Sequence, residues 1–266
     1  MGLEIFNGAI GSIARAFVDA RRSGTPLADY PGPFPTELED AYAVQDAAIA
    51  LQGEPVGGWK VGRINPPLDA RYGTSRLAGP IFAPSIFAEE SSPIAMSVFA
   101  GGFAAAEAEF LLRIGTAPAP GKTDYTLREA AGLIDAVHAG IEIASSPYPG
   151  INARGPAVTI SDFGNNKGLV VGRAINDWRD AVRDWPLALA VNGAVVGTGI
   201  GRDMLDGPLG AAAFLFNLSA ARGVTLTAGQ WISSGAVTGV HPVRPGQIVE
   251  ARFADAIAVR CTITAI

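Results

Sequence analysis

Residues 101–115 read GGFAAAEAEFLLRIG, an apolar run with two carboxylates, Glu107 and Glu109, at its centre. An unpaired carboxylate withdrawn from water costs several kcal/mol or more, so this run must turn its acids away from the packed side and find something to compensate them. A strand achieves the first. Residues i and i+2 of a strand point the same way, which puts Glu107 and Glu109 on one face and Ala106, Ala108 and Phe110 on the other. Gly140-Ile141-Glu142-Ile143-Ala144 repeats the pattern, with Ile141 and Ile143 toward a core and Glu142 opposite. Three such acids, if they converge, suit a hard divalent cation. Oxygen-only donors favour Mg²⁺, Mn²⁺ or Ca²⁺, and three monodentate carboxylates leave positions for water or a chelating substrate. The pattern alone is also met by an exposed strand face whose acids pair with Arg113 or other cations.

The texture around these runs sets the fold class. Phe6, Ile10, Ile13 and Phe17 recur at helical spacing, and Thr36-Glu37-Leu38-Glu39 reads as a capping box opening a second helix that stops at Gly53. From Val56 onward, short apolar runs alternate with Gly, Pro and Asn. This predicts strands over 56–62, 103–114, 136–144, 167–174, 187–191, 195–200, 230–234, 248–253 and 257–266. Asn192-Gly193 predicts a type I′ hairpin between two of them. Thr126 and Glu129 form a second capping box for a helix over 127–133, and Pro208 and Gly223 bracket another over 208–221. The expected chain is α+β, with a mainly helical part and the strand of Lys60 over 1–78 and a β-rich domain over 79–266.

Composition narrows the function classes. A chain of 266 residues that is 48% hydrophobic can fill a sizeable core. Its net charge is −5 and its 20 Lys and Arg are dispersed, so no nucleic-acid partner is expected. The single Cys261 leaves no internal disulfide, and two histidines, His138 and His241, make no zinc spacing; a reducing cytoplasm fits. The N-terminal segment MGLEIFNGAIGSIARAFVDARRSG lacks the pattern of a cleaved leader and reads as a retained helix. The apolar stretch 210–218 is short of the ~20 residues of a membrane span, so no membrane is expected either. No GxSxG elbow, phosphate loop or GxGxxG after a strand is present, which leaves hydrolase-triad, NTPase and dinucleotide readings without their defining motifs.

A second polar constellation is Val56-Gly57-Gly58-Trp59-Lys60-Val61-Gly62, a lysine enclosed by Trp, Val and glycines. Glycines admit close approach of a ligand, and a partly desolvated lysine binds a carboxylate or shuttles protons; a snorkelling lysine at a sheet edge has the same pattern. Ser161-Asp162-Phe163-Gly164-Asn165-Asn166-Lys167 is a turn by composition. Ser233-Ser234-Gly235-Ala236 ends a strand with hydroxyls and N–H groups that could meet an anion. His138 reads as a hydrogen-bonded core residue, and His241 carries no assignment.

Taken in order, AYAVQ (41–45), GGWKVG (57–62), AEAEF (106–110), GIEIA (140–144), SDFGNNKGLVVG (161–172) and WISSGAVTGVHPVRPGQIVEARF (231–253) resemble the 2-keto-4-pentenoate hydratase family. That family lies in the fumarylacetoacetate hydrolase superfamily, close to the 4-oxalocrotonate decarboxylases. The resemblance runs from about residue 40 to the C-terminus. It implies a β-roll catalytic domain over 79–266 in which Glu107, Glu109 and Glu142 hold Mg²⁺ or Mn²⁺ and Lys60 faces the substrate. It also implies a homo-oligomer acting on a small 2-oxo acid in the catabolism of aromatic or cyclic compounds. Water would add to a 2-hydroxy-dienoate or its 2-oxo-enoate tautomer, with Asp162 and Ser234 positioning substrate or water.

Two departures from the family pattern bear on the reaction. In GPIFAPSIF, Pro84 aligns with a position that is often acidic in the hydratases, and Ser234-Gly235-Ala236 stands where a Thr-Gly-Ser-like block is expected. Decarboxylation of a vinylogous 2-oxo diacid therefore competes with hydration, as does a non-catalytic role. A C–C bond hydrolase is disfavoured because neither histidine falls in the N-terminal half of the motif set, where a Glu-His pair is expected.

Overall fold

The computed structural model describes residues 2–90 and 93–266, with the side chains of residues 2–7, 180 and 181 left aside; Phe6 of the helical pattern is among these. Two helices open the chain, α1 (Gly2–Ser23) and α2 (Leu38–Gln52). Gly53 ends α2 with φ 70° and returns its N–H to the Ile49 carbonyl, the left-handed stop for which glycine has no Cβ penalty. The capping box expected at Thr36 is not formed. Glu37 is the N-cap and makes no side-chain cap, while the Thr36 carbonyl accepts a 3.1 Å hydrogen bond from Arg71 instead of entering the helical ladder. Ile13, Phe17, Val44 and Ala48 bury against one another and against Tyr148, Ile151 and Phe163, which seats the helical pair on the segment between two later strands.

Among the described residues thirteen strands follow: β1 (Val56–Arg63), β2 (Arg76–Phe82), β3 (Ile86–Ala88), β4 (Ile94–Val98), β5 (Phe103–Ile114), β6 (Ile134–Ser146), β7 (Asn166–Ala174), β8 (Pro186–Val191), β9 (Ala194–Ile200), β10 (Trp231–Ser233), β11 (His241–Pro242), β12 (Ile248–Phe253) and β13 (Ile257–Ala265). Five further helices punctuate them: α3 (Leu68–Tyr72), α4 (Leu127–Leu133), α5 (Pro156–Ser161), α6 (Trp178–Asp184) and α7 (Gly207–Ala221). The strands form an eight-stranded sheet in the order β2-β1-β10-β5-β6-β7-β3, with β11 also on β5, and a five-stranded sheet in the order β4-β13-β12-β8-β9. The architecture is α+β, and β1 and β2 lie in the same sheet as β5 and β6.

Every strand predicted from the apolar runs is present; β2, β3, β4 and β11 are additional. The segment of β2, RLAGPIF, carries a glycine and a proline that read as breakers. Proline is tolerated there because β2 is an edge strand. Asn192 and Gly193 take φ 50° and 81° between β8 and β9, as a type I′ turn requires. Thr126 and Glu129 make the reciprocal capping box of α4. Ala106, Ala108, Phe110, Leu112 and Ile114 of β5 join the main core, where Phe110 meets Phe253 of β12 edge to face at 5.6 Å. The acids of β5 consequently face the other way. Among the described residues, no helix is long and apolar enough to cross a membrane.

Candidate metal centre and active site

The antiparallel register of β5 and β6 sets Glu107 directly opposite Glu142, and Glu109 opposite Gly140. Paired residues share a face, so the three carboxylates form one patch. Each offers an oxygen within 4.8 Å of the others, and their exposures are 4%, 0% and 0%. Arg113, the alternative partner, instead pairs with Asp135 at 2.8 Å on the exposed end of the strand.

Lys60 reaches this patch because β10 bridges β1 and β5: Lys60 is in register with Ser233, and Ser233 with Leu111. Its Nζ lies 3.0 Å from Glu142 Oε1 and 3.0 Å from Asn165 Oδ1. The surrounding donors fix the acids. Ser233 Oγ donates to Glu109 Oε2 at 2.5 Å, the Gly235 N–H donates to the same oxygen at 2.8 Å, and Asn166 Nδ2 donates to Glu142 Oε1 at 2.8 Å. Asn165 is held by an unusual turn in which Phe163, Gly164 and Asn165 all take positive φ, at 56°, 62° and 59°. Two of these are not glycine, and such left-handed residues persist only where the surroundings impose them. The imposing contact is with β2: a Cβ on Gly79 would lie 2.2 Å from the Phe163 carbonyl oxygen, so only glycine admits the turn this close.

Burial raises Glu107 from the usual carboxylate value to about 7 against the pull of Lys60, and raises Glu109 well above it, with Glu142 and Glu107 adding repulsion. Burial tends to lower Lys60, but Glu142, Glu107 and Glu109 outweigh it and hold the ammonium charged. One cation thus faces three buried acids. Glu109 Oε1 and Glu142 Oε2 are buried and have no hydrogen-bond partner. Orphaned carboxylate oxygens of this kind need a ligand, and an all-oxygen set with no thiol or imidazole fits a hard divalent cation.

The patch opens into a cavity of about 640 Å³, whose wall includes Lys60, Glu107, Asn165, Ser234 and Leu77. Ser234, expected at the site, lies in this wall with its Oγ buried and unpartnered. Asp162 is not brought there. Its fully buried carboxylate is clamped by Arg21, with Nε to Oδ1 at 2.5 Å and Nη2 to Oδ2 at 2.9 Å. Pro84 is also elsewhere, lining a smaller cavity with Arg21 and Lys167, so its replacement of an acid does not alter the wall around Lys60. The β2 residue on the Lys60 face of that wall is Leu77. His138 behaves as expected, with Nδ1 2.8 Å from the Gly172 carbonyl. Asn165, Asn166 and Ser233 were missed as site residues, because a turn and a strand end by composition acquire these roles only through their neighbours in space.

No protein-family model matches the chain. Of the curated proteins, 4-oxalocrotonate decarboxylase of Pseudomonas putida is 29% identical over 125 residues, an alignment spanning 47% of this chain and about half the relative, 47%. The 2-oxo-hept-4-ene-1,7-dioate hydratase of Escherichia coli is 28% identical over 246 residues, covering 88% of each chain. The chain is similar in sequence to both a hydratase and a decarboxylase. Its fold matches that of a solved decarboxylase: 4-oxalocrotonate decarboxylase from Pseudomonas putida G7, complexed with magnesium and adipate, superposes with a TM-score of 0.80 at 23% identity over 98% of both chains. Fumarylpyruvate hydrolase from Pseudomonas aeruginosa, in complex with Mn²⁺ and pyruvate, superposes with a TM-score of 0.57 at 14% identity over 78% of this chain and 89% of its own. The chain thus shares the β-rich fold of these solved enzymes, and its acid patch lies on β5 and β6 of the larger sheet.

Proposed function

We propose that the chain is a divalent-metal-dependent lyase that adds water to a small 2-hydroxy-dienoate or its 2-oxo-enoate tautomer. The observation that carries this reading is the convergence of Glu107, Glu109 and Glu142 with Lys60 at the wall of one cavity. A Mg²⁺ or Mn²⁺ ion held by the three carboxylates would act as a Lewis acid toward the substrate's carboxylate and adjacent oxygen. The chain's own groups do the rest. Lys60, aimed by Asn165 and Glu142, holds a proton at Nζ for the substrate carbon chain and offsets charge developing on the substrate oxygen. Ser234 offers a free hydroxyl to position water or a substrate oxygen. Ile64, Leu68, Leu77 and Met204 line the cavity with apolar surface, which limits water around the reacting bonds.

A second reading, decarboxylation of a 2-oxo diacid, draws support from the ionisable groups in the wall. Besides Glu107 these are Lys60, Arg63, Arg76 and Asp203 among the described residues, and Asp203 is exposed at the end of a 3₁₀ turn. Loss of CO₂ needs a proton donor but no base for water, and Lys60 suffices. The two readings separate when 2-hydroxypenta-2,4-dienoate and 4-oxalocrotonate are supplied in turn with Mg²⁺. Hydration consumes the monoacid without gas, whereas CO₂ release from the diacid as the sole reaction overturns it. In either case Lys60→Met is expected to lower kcat by about 10²- to 10⁴-fold while Mg²⁺ still binds. Full activity in that variant would remove Lys60 from the chemistry.

A further inference from the structure

Asn166-Lys167-Gly168 opens β7 with an irregularity. In the ladder with β6, Ala144 pairs with Asn166 and Ile143 with Gly168, so Lys167 is an extra residue with no partner across the strand. Such a bulge re-aims a side chain. Gly168 makes room for it at φ 142°, where a Cβ would lie 2.5 Å from the Ser85 carbonyl oxygen. Asn166 turns its amide to Glu142, whereas Lys167 lines a separate cavity of about 280 Å³. Its wall also includes Arg21 and Arg22 from the last turn of α1, Gln52 at the end of α2, Glu54 and Ser85. None of these residues lines the larger cavity of Lys60 and Glu107.

This wall is short of negative charge. Arg21 is matched by Asp162, which leaves Arg22 and the half-buried Lys167 facing Glu54, an exposed side chain. Arg22 Nη2 is spent on neutral acceptors, the carbonyls of Leu51 and Gln52 at 2.8 and 3.2 Å. Among the described residues, Lys167 Nζ makes no ion pair or hydrogen bond; it stands 5.7 Å from the centre of the Phe99 ring, which the Arg21 guanidinium also approaches at 5.6 Å. Burial and the neighbouring Arg21 push Lys167 below its ordinary value against the pull of Glu54. Gln52 Oε1 is buried with no partner, and with its amide turned over Gln52 presents a donor instead. Arg21 Nη1 donates to the Asn166 carbonyl at 3.0 Å and keeps one N–H in reserve. The cavity therefore has unspent donors and positive charge with no acceptor to meet them.

We propose that this second cavity is an anion site for a phosphate group, inorganic or on a small ester, held by Lys167 and Arg22 with the remaining N–H of Arg21. The donors come from α1 and β7, two separate elements, and a tetrahedral group presents oxygens to both, whereas a planar carboxylate is served by a single guanidinium fork. The site stands apart from the 2-oxo acid reading, since it shares no wall with the acid patch.

The test is titration calorimetry on the Mg²⁺-loaded protein at low ionic strength, with inorganic phosphate, glycerol 3-phosphate and acetate as probes. A phosphate is expected to bind in preference to acetate; binding of glycerol 3-phosphate alone assigns an ester, and binding of both assigns the bare group. Lys167→Met is expected to weaken phosphate binding about tenfold or more, as for a lost charge-assisted hydrogen bond, and Arg22→Met, at an exposed residue, to weaken it as well. Lys60→Met should leave it unchanged. Thermal melts of the variants verify folding. The site is overturned if neither phosphate binds, if acetate binds as tightly, or if phosphate binding survives both Lys167→Met and Arg22→Met. Binding that is lost in Lys60→Met and kept in Lys167→Met places the phosphate at the acid patch and equally overturns the proposal.

Discussion

Glu107 and Glu109 share a face with Glu142 at full burial, and at the residue scale the consequence is a protonation debt. Folding raises Glu107 from 4.5 to about 7 and moves Glu109 in the same direction, so the metal-free fold prefers these acids protonated. A raised carboxylate contributes stability that is complete below its unfolded value and is lost as pH rises through its folded one. Melting temperatures in EDTA should therefore carry a falling component between pH 4.5 and about 7. Mg²⁺, which competes with protons for the same oxygens, should raise the melting temperature more at the alkaline end than at the acid end. Glu107→Gln should reduce the fall and the Mg²⁺ response together. A Mg²⁺ shift that is equal at both ends of this range would rule out the three acids as its origin.

At the element scale, the site depends on how closely the Phe163–Asn165 turn rides on β2. Gly79→Ala would put a methyl 2.2 Å from the Phe163 oxygen and 2.8 Å from the Gly164 nitrogen, both backbone atoms that cannot swing aside. Overpacking of this sort costs about 1–3 kcal/mol, and here it pushes Asn165 away from Lys60, so a loss of kcat should accompany the loss of stability. Gly62→Ala on the neighbouring strand meets only the flexible tip of Leu77 at 3.3 Å and should be the milder of the two. Urea melts and kcat for the two variants make the comparison; equal effects would mean that the turn is not held by β2.

The whole molecule is tied together by a buried ion pair. Arg21 extends from the last turn of α1, takes both oxygens of Asp162, and donates to the carbonyls of Ser145, Asp162 and Asn166, joining the helical pair to β6 and β7. Asn166 in turn holds Glu142, so the anchor of the helices and the back of the acid patch share one residue. Asp162→Ala leaves a buried guanidinium without its carboxylate and is expected to cost about 3–5 kcal/mol in unfolding free energy. Arg21→Met with Asp162→Asn should recover part of that loss, since the uncompensated charge is gone while the three carbonyls stay unpaired. A change in substrate KM without loss of stability in Asp162→Ala would return Asp162 to the site.

The pair of acids in AEAEF, the acid in GIEIA and the enclosed lysine of GGWKVG were legible because strand alternation is local: residues i and i+2 share a face whatever the strand later pairs with. The predicted strands and the Thr126 capping box were legible for the same reason, as apolar period, turn residues and cap spacing are properties of neighbours in the chain. What tertiary structure decided is every relation across strands. The β5–β6 register made three acids one patch, β10 brought Lys60 to it, and Asn165 and Asn166 became its supports through a turn pressed against Gly79. Asp162 has the same local sequence signal as a site residue, yet it faces Arg21 from a helix 141 residues earlier. Pro84 lines a separate, smaller cavity, and in β2 Gly79 pairs with Lys60 while Leu77 joins it in the cavity wall. Such partners are set by the energy of burying distant segments together, which no local pattern records.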